Sequence, residues 1–77
     1  MSRPVDRSAW IAPLPLTHRE VEMLEAAARG EVSLETARRM HLSIETIKSH
    51  RRNIMGKMRA RNMTHAVAQG FRAGILF

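Results

Sequence analysis

Lys48, Ser49 and Arg52 are the residues of this 77-residue chain whose types and spacing are best suited to chemistry. They lie in the stretch LSIETIKSHRRNIMGKM, residues 42–58, and on a helix they would share one face with Glu45. Arginine and lysine can bridge O6 and N7 of guanine, a serine hydroxyl donates or accepts, and a glutamate can accept from a cytosine amino group. The pattern predicts base contacts from all four residues. It is also what the solvated face of an ordinary surface helix shows.

The helix that must carry these residues is predicted from Ile44 to Arg59 or Ala60. Ser43 is its N-cap, and free backbone N–H groups at a helix start, together with the hydroxyls of Ser43 and Thr46, are suited to phosphate oxygens. Apolar residues on another side of the same helix predict a stripe that faces a core. These residues are Ile44, Ile47, Ile54, Met55 and Met58.

Two helices are predicted before this one. The first has Thr17 as N-cap and Glu20 three residues later, a capping box, and Gly30 as its stop. The second is predicted to start at Ser33 as cap, to end near Met40 or His41, and to carry the apolar residues Leu34, Ala37 and Met40. Because so few residues separate it from Ser43, the pair is predicted to form a helix-turn-helix.

A fourth helix is predicted to start with Asn62 or Thr64 as cap and to end at about Ala73. Residues 1–15 hold all three prolines and are read as an extended, flexible arm. The arm either follows a phosphate backbone or minor groove through its basic residues, or is a tail whose Trp10 covers an edge of the core. The expected fold is an all-α, four-helix domain over residues 16–77, with an extended N-terminal arm at 1–15.

Composition and the absence of certain motifs limit the classes of function that the chain can have. The net charge is +6, and residues 38–61 hold eight basic residues and a single acid, Glu45, which favours a polyanionic partner. There is no cysteine, no HExxH motif, no phosphate-binding glycine loop and no apolar run of membrane-spanning length. We therefore expect no enzyme, no metal or other cofactor and no membrane partner. The expected location is the cytoplasm.

Three motifs stand at characteristic separations: LTHRE from Leu16, SIETIKSH from Ser43 and IMGKM from Ile54. Together with the final AGIL, they make residues 16–76 resemble the LuxR-type, or GerE-type, DNA-binding domain of bacterial response regulators and quorum-sensing regulators. The resemblance implies that the third helix reads the major groove and that the fourth helix pairs two domains. The fifteen residues before Leu16 are too few for a sensor domain, so we expect either a stand-alone regulator or a fragment of a larger one.

The resemblance also implies roles for individual residues. Lys48, Ser49 and Arg52 match base-contacting positions, whereas Thr46, His50 and Lys57 match positions that touch phosphate or brace the helix. For His50 and the neighbouring Arg51, bracing is the rival role, because Arg51 falls on the apolar side of the helix. The predicted dimer surface lies on the fourth helix, with Val67 or Phe71 as alternative core residues. Its residues are Met63, Val67, Gly70 and Phe71.

Departures from the family pattern occur at four positions. Leu34 stands where a lysine is frequent, which predicts the loss of one phosphate contact, and Thr36 stands where an isoleucine is frequent, which predicts looser packing. Arg59 replaces a glycine, and Met63 replaces an arginine near the start of the fourth helix.

Two functions remain. The first is a sequence-specific transcriptional regulator that binds double-stranded DNA as a homodimer, with RNA polymerase as a further candidate partner. The second is a helix-turn-helix used mainly as a protein-interaction module that docks on RNA polymerase or another regulator, for which the apolar tail at residues 75–77 and Trp10 give some support.

Overall fold

The computed structural model describes residues 16–77. The predicted arm, with Arg3, Arg7 and Trp10, lies outside the described residues. Four helices follow one another and no strand occurs within residues 16–77, which confirms the predicted all-α fold. In chain order they are α1 (His18–Ala28), α2 (Ser33–Met40), α3 (Ile44–Met58) and α4 (Met63–Arg72).

The start of α1 is the predicted capping box. The backbone N–H of Thr17 donates to Glu20 Oε1 at 2.8 Å, and the N–H of Glu20 donates to Thr17 Oγ1 at 3.1 Å. These bonds satisfy N–H groups that a helix start otherwise leaves without acceptors. At the other end Gly30 has a φ of +89°, the left-handed conformation that glycine adopts at least cost, so the predicted stop is confirmed.

The start of α2 corrects the prediction by one residue. Val32, not Ser33, is the N-cap, because its carbonyl accepts from the N–H of Thr36 at 3.1 Å. Valine has no side-chain acceptor for the helix start, but its own N–H donates to Glu35 Oε1 at 2.9 Å, which supplies half of a capping box. The predicted apolar stripe is also corrected: Ala37 is buried, but Leu34 is 46% exposed and Thr36 is buried instead.

The turn between α2 and α3 is as short as predicted. His41 adopts a left-handed φ of 58°, and the N–H of Leu42 donates to the carbonyl of Ala37 at 2.9 Å, which ends α2. Ser43 then caps α3 by accepting from the N–H of Thr46 at 3.1 Å. The helix-turn-helix therefore spans α2, this turn and α3.

Helix α3 lies at the centre of the fold, because it contacts α1, α2 and α4, and α1 also contacts α4. Its apolar stripe is confirmed: Ile47, Ile54 and Met58 are buried, while Ile44 and Met55 are half-buried. All the buried apolar residues within residues 16–77 except Ala26 form one cluster. Its members are Met23, Leu24, Ala37, Ile47, Ile54, Met58, Ala66 and Leu76.

The chain turns back on itself after α4. Gly74 has a φ of +78°, and the N–H groups of Ile75 and Leu76 both donate to the carbonyl of Gly70. This brings Leu76 into the core, where it is 5% exposed. A Cβ at Gly70 would lie 2.9 Å from Leu76 Cδ1 and 3.0 Å from Leu24 Cδ2, so a side chain at this position would displace both leucines.

Candidate nucleic-acid interface

The outward side of α3 carries the four residues predicted to contact bases. Glu45, Lys48, Ser49 and Arg52 are all exposed, and Arg52 Nη2 donates to Ser49 Oγ at 3.2 Å. The side chain of Lys48 makes no hydrogen bond or ion pair with any residue in the described part of the chain. We call these four residues the reading face. It offers ammonium and guanidinium donors beside one hydroxyl and one carboxylate, which are groups of the kinds that can hydrogen-bond to base edges.

The start of α3 supplies a second group of donors beside the reading face. The hydroxyls of Ser43 and Thr46 lie 2.9 Å apart, and Ser43 Oγ also accepts from the N–H of Thr46. Each hydroxyl has one hydrogen, so the pair uses one of them and leaves the other for an outside acceptor. That hydrogen, the first free N–H groups of the helix and the positive end of its dipole together favour an anion.

Two basic residues between the reading face and the core have different surroundings. The Arg51 side chain turns inward, and its Nη2 donates to the backbone carbonyl of Glu31 at 3.1 Å. Its Nε is buried and has no hydrogen-bond partner among the described residues. Arg51 therefore braces α3 against the turn between α1 and α2. His50 is half-buried, and its ring has no hydrogen bond within residues 16–77.

Lys57 is tied into the fold. Its Nζ lies 2.8 Å from Glu20 Oε1, the oxygen that also serves the α1 capping box, and the Lys57 side chain is 25% exposed. A phosphate contact from Lys57 would require its ammonium to share or leave Glu20. Burial raises the pKa of the Glu20 carboxyl, but the hydrogen bonds from Lys57 and Thr17 outweigh it and hold this pKa below its usual value.

A polar cluster centred on Glu31 was not predicted from the sequence. The Glu31 carboxylate accepts from Arg39 through Nε at 3.0 Å and Nη2 at 3.1 Å, from Thr36 Oγ1 at 2.8 Å and from Arg29 Nη2 at 3.4 Å. The hydrogen bonds from Arg39 and Thr36 hold the pKa of Glu31 below its usual value. The one sequence signal was Thr36, a polar residue where isoleucine is frequent in the resembling family.

Helix α4 divides the predicted dimer residues between two sides. Phe71 is 49% exposed, and Met63 and Val67 are half-buried at the edge of the core. Gly70 lies in the core beneath Leu76, so the structure places it away from the outward side of the helix. Asn62, one of the two predicted caps, accepts from the N–H of His65 at 2.8 Å.

Gln69 is a further residue that the sequence did not single out. It is 4% exposed, and its Nε2 donates to the carbonyl of Met58 at 2.8 Å. That carbonyl belongs to the last turn of α3, where helical partners are missing. The bond fixes the end of α3 to α4. No local pattern could have shown this, because the two residues belong to different helices.

Residues 16–77 contain no group of three or more His, Cys, Asp or Glu side chains that could hold a metal ion. None of the four helices is long and apolar enough to cross a membrane.

Comparison with known proteins gives a consistent result. Residues 14–69 match the model of the family described as bacterial regulatory proteins, luxR family. The chain is 36% identical over 61 residues to the response regulator protein VraR of Staphylococcus aureus, Staphylococcus saprophyticus and Staphylococcus epidermidis. These alignments cover 79% of this chain but 29% of each relative, so the chain spans under a third of their length.

Proposed function

We propose that this chain, which belongs to the LuxR family of bacterial regulatory proteins, is a transcriptional regulator that binds specific sequences of double-stranded DNA. In this proposal α3 enters the major groove with its N-terminal turns leading. The observation that carries the proposal is the exposure of Lys48, Ser49 and Arg52 on a helix whose opposite side is buried. A regulator of bacterial transcription would work in the cytoplasm, where the chromosome lies.

Base reading is assigned to the four residues of the reading face. Arg52 and Lys48 would donate to guanine O6 and N7, and Glu45 would accept from a cytosine amino group. The hydrogen bond from Arg52 to Ser49 holds the guanidinium over the helix surface in the free protein. Ser49 would then act both as a base contact and as a support for Arg52.

Phosphate contacts are assigned to the start of α3 and to its flank. Ser43 and Thr46 supply one free hydroxyl hydrogen beside the helix dipole, and the His50 ring makes no hydrogen bond with any described residue. Lys57 keeps phosphate contact as a proposed role, in competition with its ion pair to Glu20. These contacts would position α3 without distinguishing sequences.

Titration with DNA tests the proposed function. Fluorescently labelled duplexes of random and of selected sequence would be titrated with the protein at two salt concentrations. We expect affinity to fall steeply with salt for every duplex, because counterions are released, while selected duplexes keep an advantage of about 10³-fold or more. Salt-sensitive binding without sequence preference, or no binding, would favour a protein-interaction module instead. Phe77 and Phe71, which are exposed, give that second function its support.

Pairing of two copies is proposed to use the outward side of α4. Met63, Val67 and Phe71 are spaced four residues apart, so they follow one another along this side, with Gly70 supporting it from within. A dimer would place two α3 helices on half-sites about one helical turn of DNA apart. RNA polymerase is a further proposed partner, contacted by the DNA-bound dimer.

Sedimentation across a concentration series, with and without duplex, tests the pairing. Phe71→Ser should shift the dimer toward monomer, because it removes an exposed aromatic side chain from the surface. Leu34→Ser is a matched control, since Leu34 is similarly exposed but lies on α2. A wild-type protein that stays monomeric on a two-half-site duplex would exclude this arrangement.

A further inference from the structure

We propose that Glu31 is a positioning residue for DNA reading: its carboxylate and its backbone carbonyl together set the orientation of α3 relative to α1 and α2. The inference rests on the proposed function, because it concerns how the reading face is presented to DNA. Glu31 itself lies in the turn between α1 and α2 and contacts no base in this proposal.

The Glu31 carboxylate joins α2 to the end of α1. Arg39, near the end of α2, donates two hydrogen bonds to it, and Thr36, in the middle of α2, donates one from its hydroxyl. Arg29, just after α1, lies 3.4 Å from Oε2. Paired donors from one guanidinium fix direction as well as distance. Directional contacts therefore hold the turn to α2 at two positions, Thr36 and Arg39.

The backbone carbonyl of Glu31 joins the same turn to α3. It accepts from Arg51 Nη2 at 3.1 Å. The buried Nε of Arg51 has no partner in the described part of the chain, so this carbonyl is the one acceptor that fixes the guanidinium. Arg51 precedes Arg52 and follows Lys48 by three residues on the same helix. A shift of the Glu31 carbonyl would therefore act on the turns of α3 that carry the reading face.

The buried hydroxyl of Thr36 distinguishes this arrangement from simple packing. Thr36 is 1% exposed, so without Glu31 its hydroxyl would keep only the carbonyl of Val32, at 3.3 Å. An apolar residue could fill the same space with no partner, but apolar packing is non-directional. Hydrogen bonds to an ionised carboxylate instead select one geometry for the turn.

The test compares Glu31→Ala with Glu22→Ala. Both remove one carboxylate, but Glu22 lies on the exposed side of α1, where it pairs with His18 and Arg19. We expect Glu31→Ala to lower the ratio of selected-duplex to random-duplex affinity by about five- to tenfold, part of the value of one base contact. The salt dependence should stay as in the control. Residual dipolar couplings should show α3 reoriented relative to α1 in Glu31→Ala alone.

A second pair of variants covers the case in which Glu31→Ala fails to fold. Arg39→Gln removes the two donors to Glu31, whereas Arg38→Gln removes a neighbouring exposed charge that has no partner within residues 16–77. The first should lower the affinity ratio in the same direction by a smaller factor, and the second should not. Glu31→Gln, which keeps one oxygen acceptor, should restore part of the ratio lost in Glu31→Ala.

Three outcomes are distinguishable. If folded Glu31→Ala and Arg39→Gln keep the ratio of their controls, Glu31 only stabilises the turn and the inference is wrong. If the ratio falls but α3 keeps its orientation, the positioning role is equally wrong. If the wild-type protein does not discriminate between duplexes, the proposed function fails and the inference fails with it, which the wild-type titration shows without any variant.

Discussion

Two sets of basic side chains share α3 and differ in what lies around them. Within residues 16–77, the exposed side chains of Lys48 and Arg52 have no acceptor outside their own helix, whereas those of Arg51 and Lys57 each reach an oxygen of another segment. The acceptors are the backbone carbonyl of Glu31 and the carboxylate of Glu20. Charge in the sequence is therefore not a measure of function. The availability of an acceptor within the fold decides which cations remain for an outside partner.

The largest expected difference between the two sets is in stability, and a pair of lysine substitutions on α3 tests it. Lys57→Met should lower the free energy of unfolding by about 3 kcal/mol, the low end for breaking a buried pair, because it leaves the Glu20 carboxylate buried without its cation while Lys57 itself is partly exposed. Lys48→Met should change it by less than about 0.5 kcal/mol, as at other surface positions. Urea unfolding followed by circular dichroism measures both.

The same pair separates the two roles of Lys57. If Lys57→Met leaves stability unchanged but lowers the salt slope of DNA binding by about one, Lys57 is a phosphate contact and the ion pair with Glu20 adds nothing. Equal destabilisation by both variants would show that Lys57, which has an acceptor within the fold, does not differ from the exposed Lys48.

Arg52→Ala tests whether the exposed basic residues of α3 contact bases. It should leave unfolding almost unchanged and cost about 1–3 kcal/mol in binding to the preferred duplex, with relaxed preference at one base position. Selection of bound sequences from a random pool, for the wild type and the variant, measures the preference. Asn53→Ala is a suitable control, because Asn53 is the exposed neighbour of Arg52 on α3. An equal loss for every duplex would make Arg52 a phosphate contact.

The local features of this fold were predictable because short-range rules create them. Thr17 with Glu20, Gly30 as a stop and Ser43 as a cap each depend on residues within four positions along the chain. The apolar periodicity of α3 likewise placed Ile47 and Ile54 in the core. The four helices and the helix-turn-helix follow from such signals.

The features that sequence could not supply involve partners far apart in the chain. The contact between Lys57 and Glu20 joins residues 37 positions apart, and Arg51 meets Glu31 across 20 positions. The spacing of Leu34 predicted that it faces the core, but Leu34 is exposed and Thr36 is buried instead. The hydroxyl of Thr36 has an acceptor in Glu31. A buried polar residue is tolerated only where such a partner exists, and the partner is set by tertiary structure.

Ser43 belongs to the boundary between the two sides of α3, because it caps the helix and is a proposed phosphate contact. Ser43→Ala should lower the free energy of unfolding by about 1 kcal/mol, the usual cost of losing an N-cap. It should also weaken binding to all duplexes alike. Ser33→Ala is the matched control, since Ser33 lies inside the first turn of α2 and caps nothing. Equal effects of the two variants would contradict the assignment of Ser43 as a cap.

The smallest expected effect is a change in how stability depends on pH. It tests the ion pair between Lys57 and Glu20. The pKa of Glu20 is lowered in the folded protein, so folding favours the ionised carboxylate. The stability that this provides is present in full above the ordinary glutamate pKa of 4.5 and is lost as the pH falls through the lower, folded-state pKa. Unfolding free energies measured from pH 7 to pH 3 should therefore fall less steeply for Glu20→Gln than for the wild type below about pH 4.5. Glu22→Gln controls for the loss of one carboxylate from the same helix. Parallel curves for the wild type and Glu20→Gln would show that the bond between Lys57 and Glu20 is no stronger than one in open solvent, and that Lys57 is as free to meet a phosphate as Lys48.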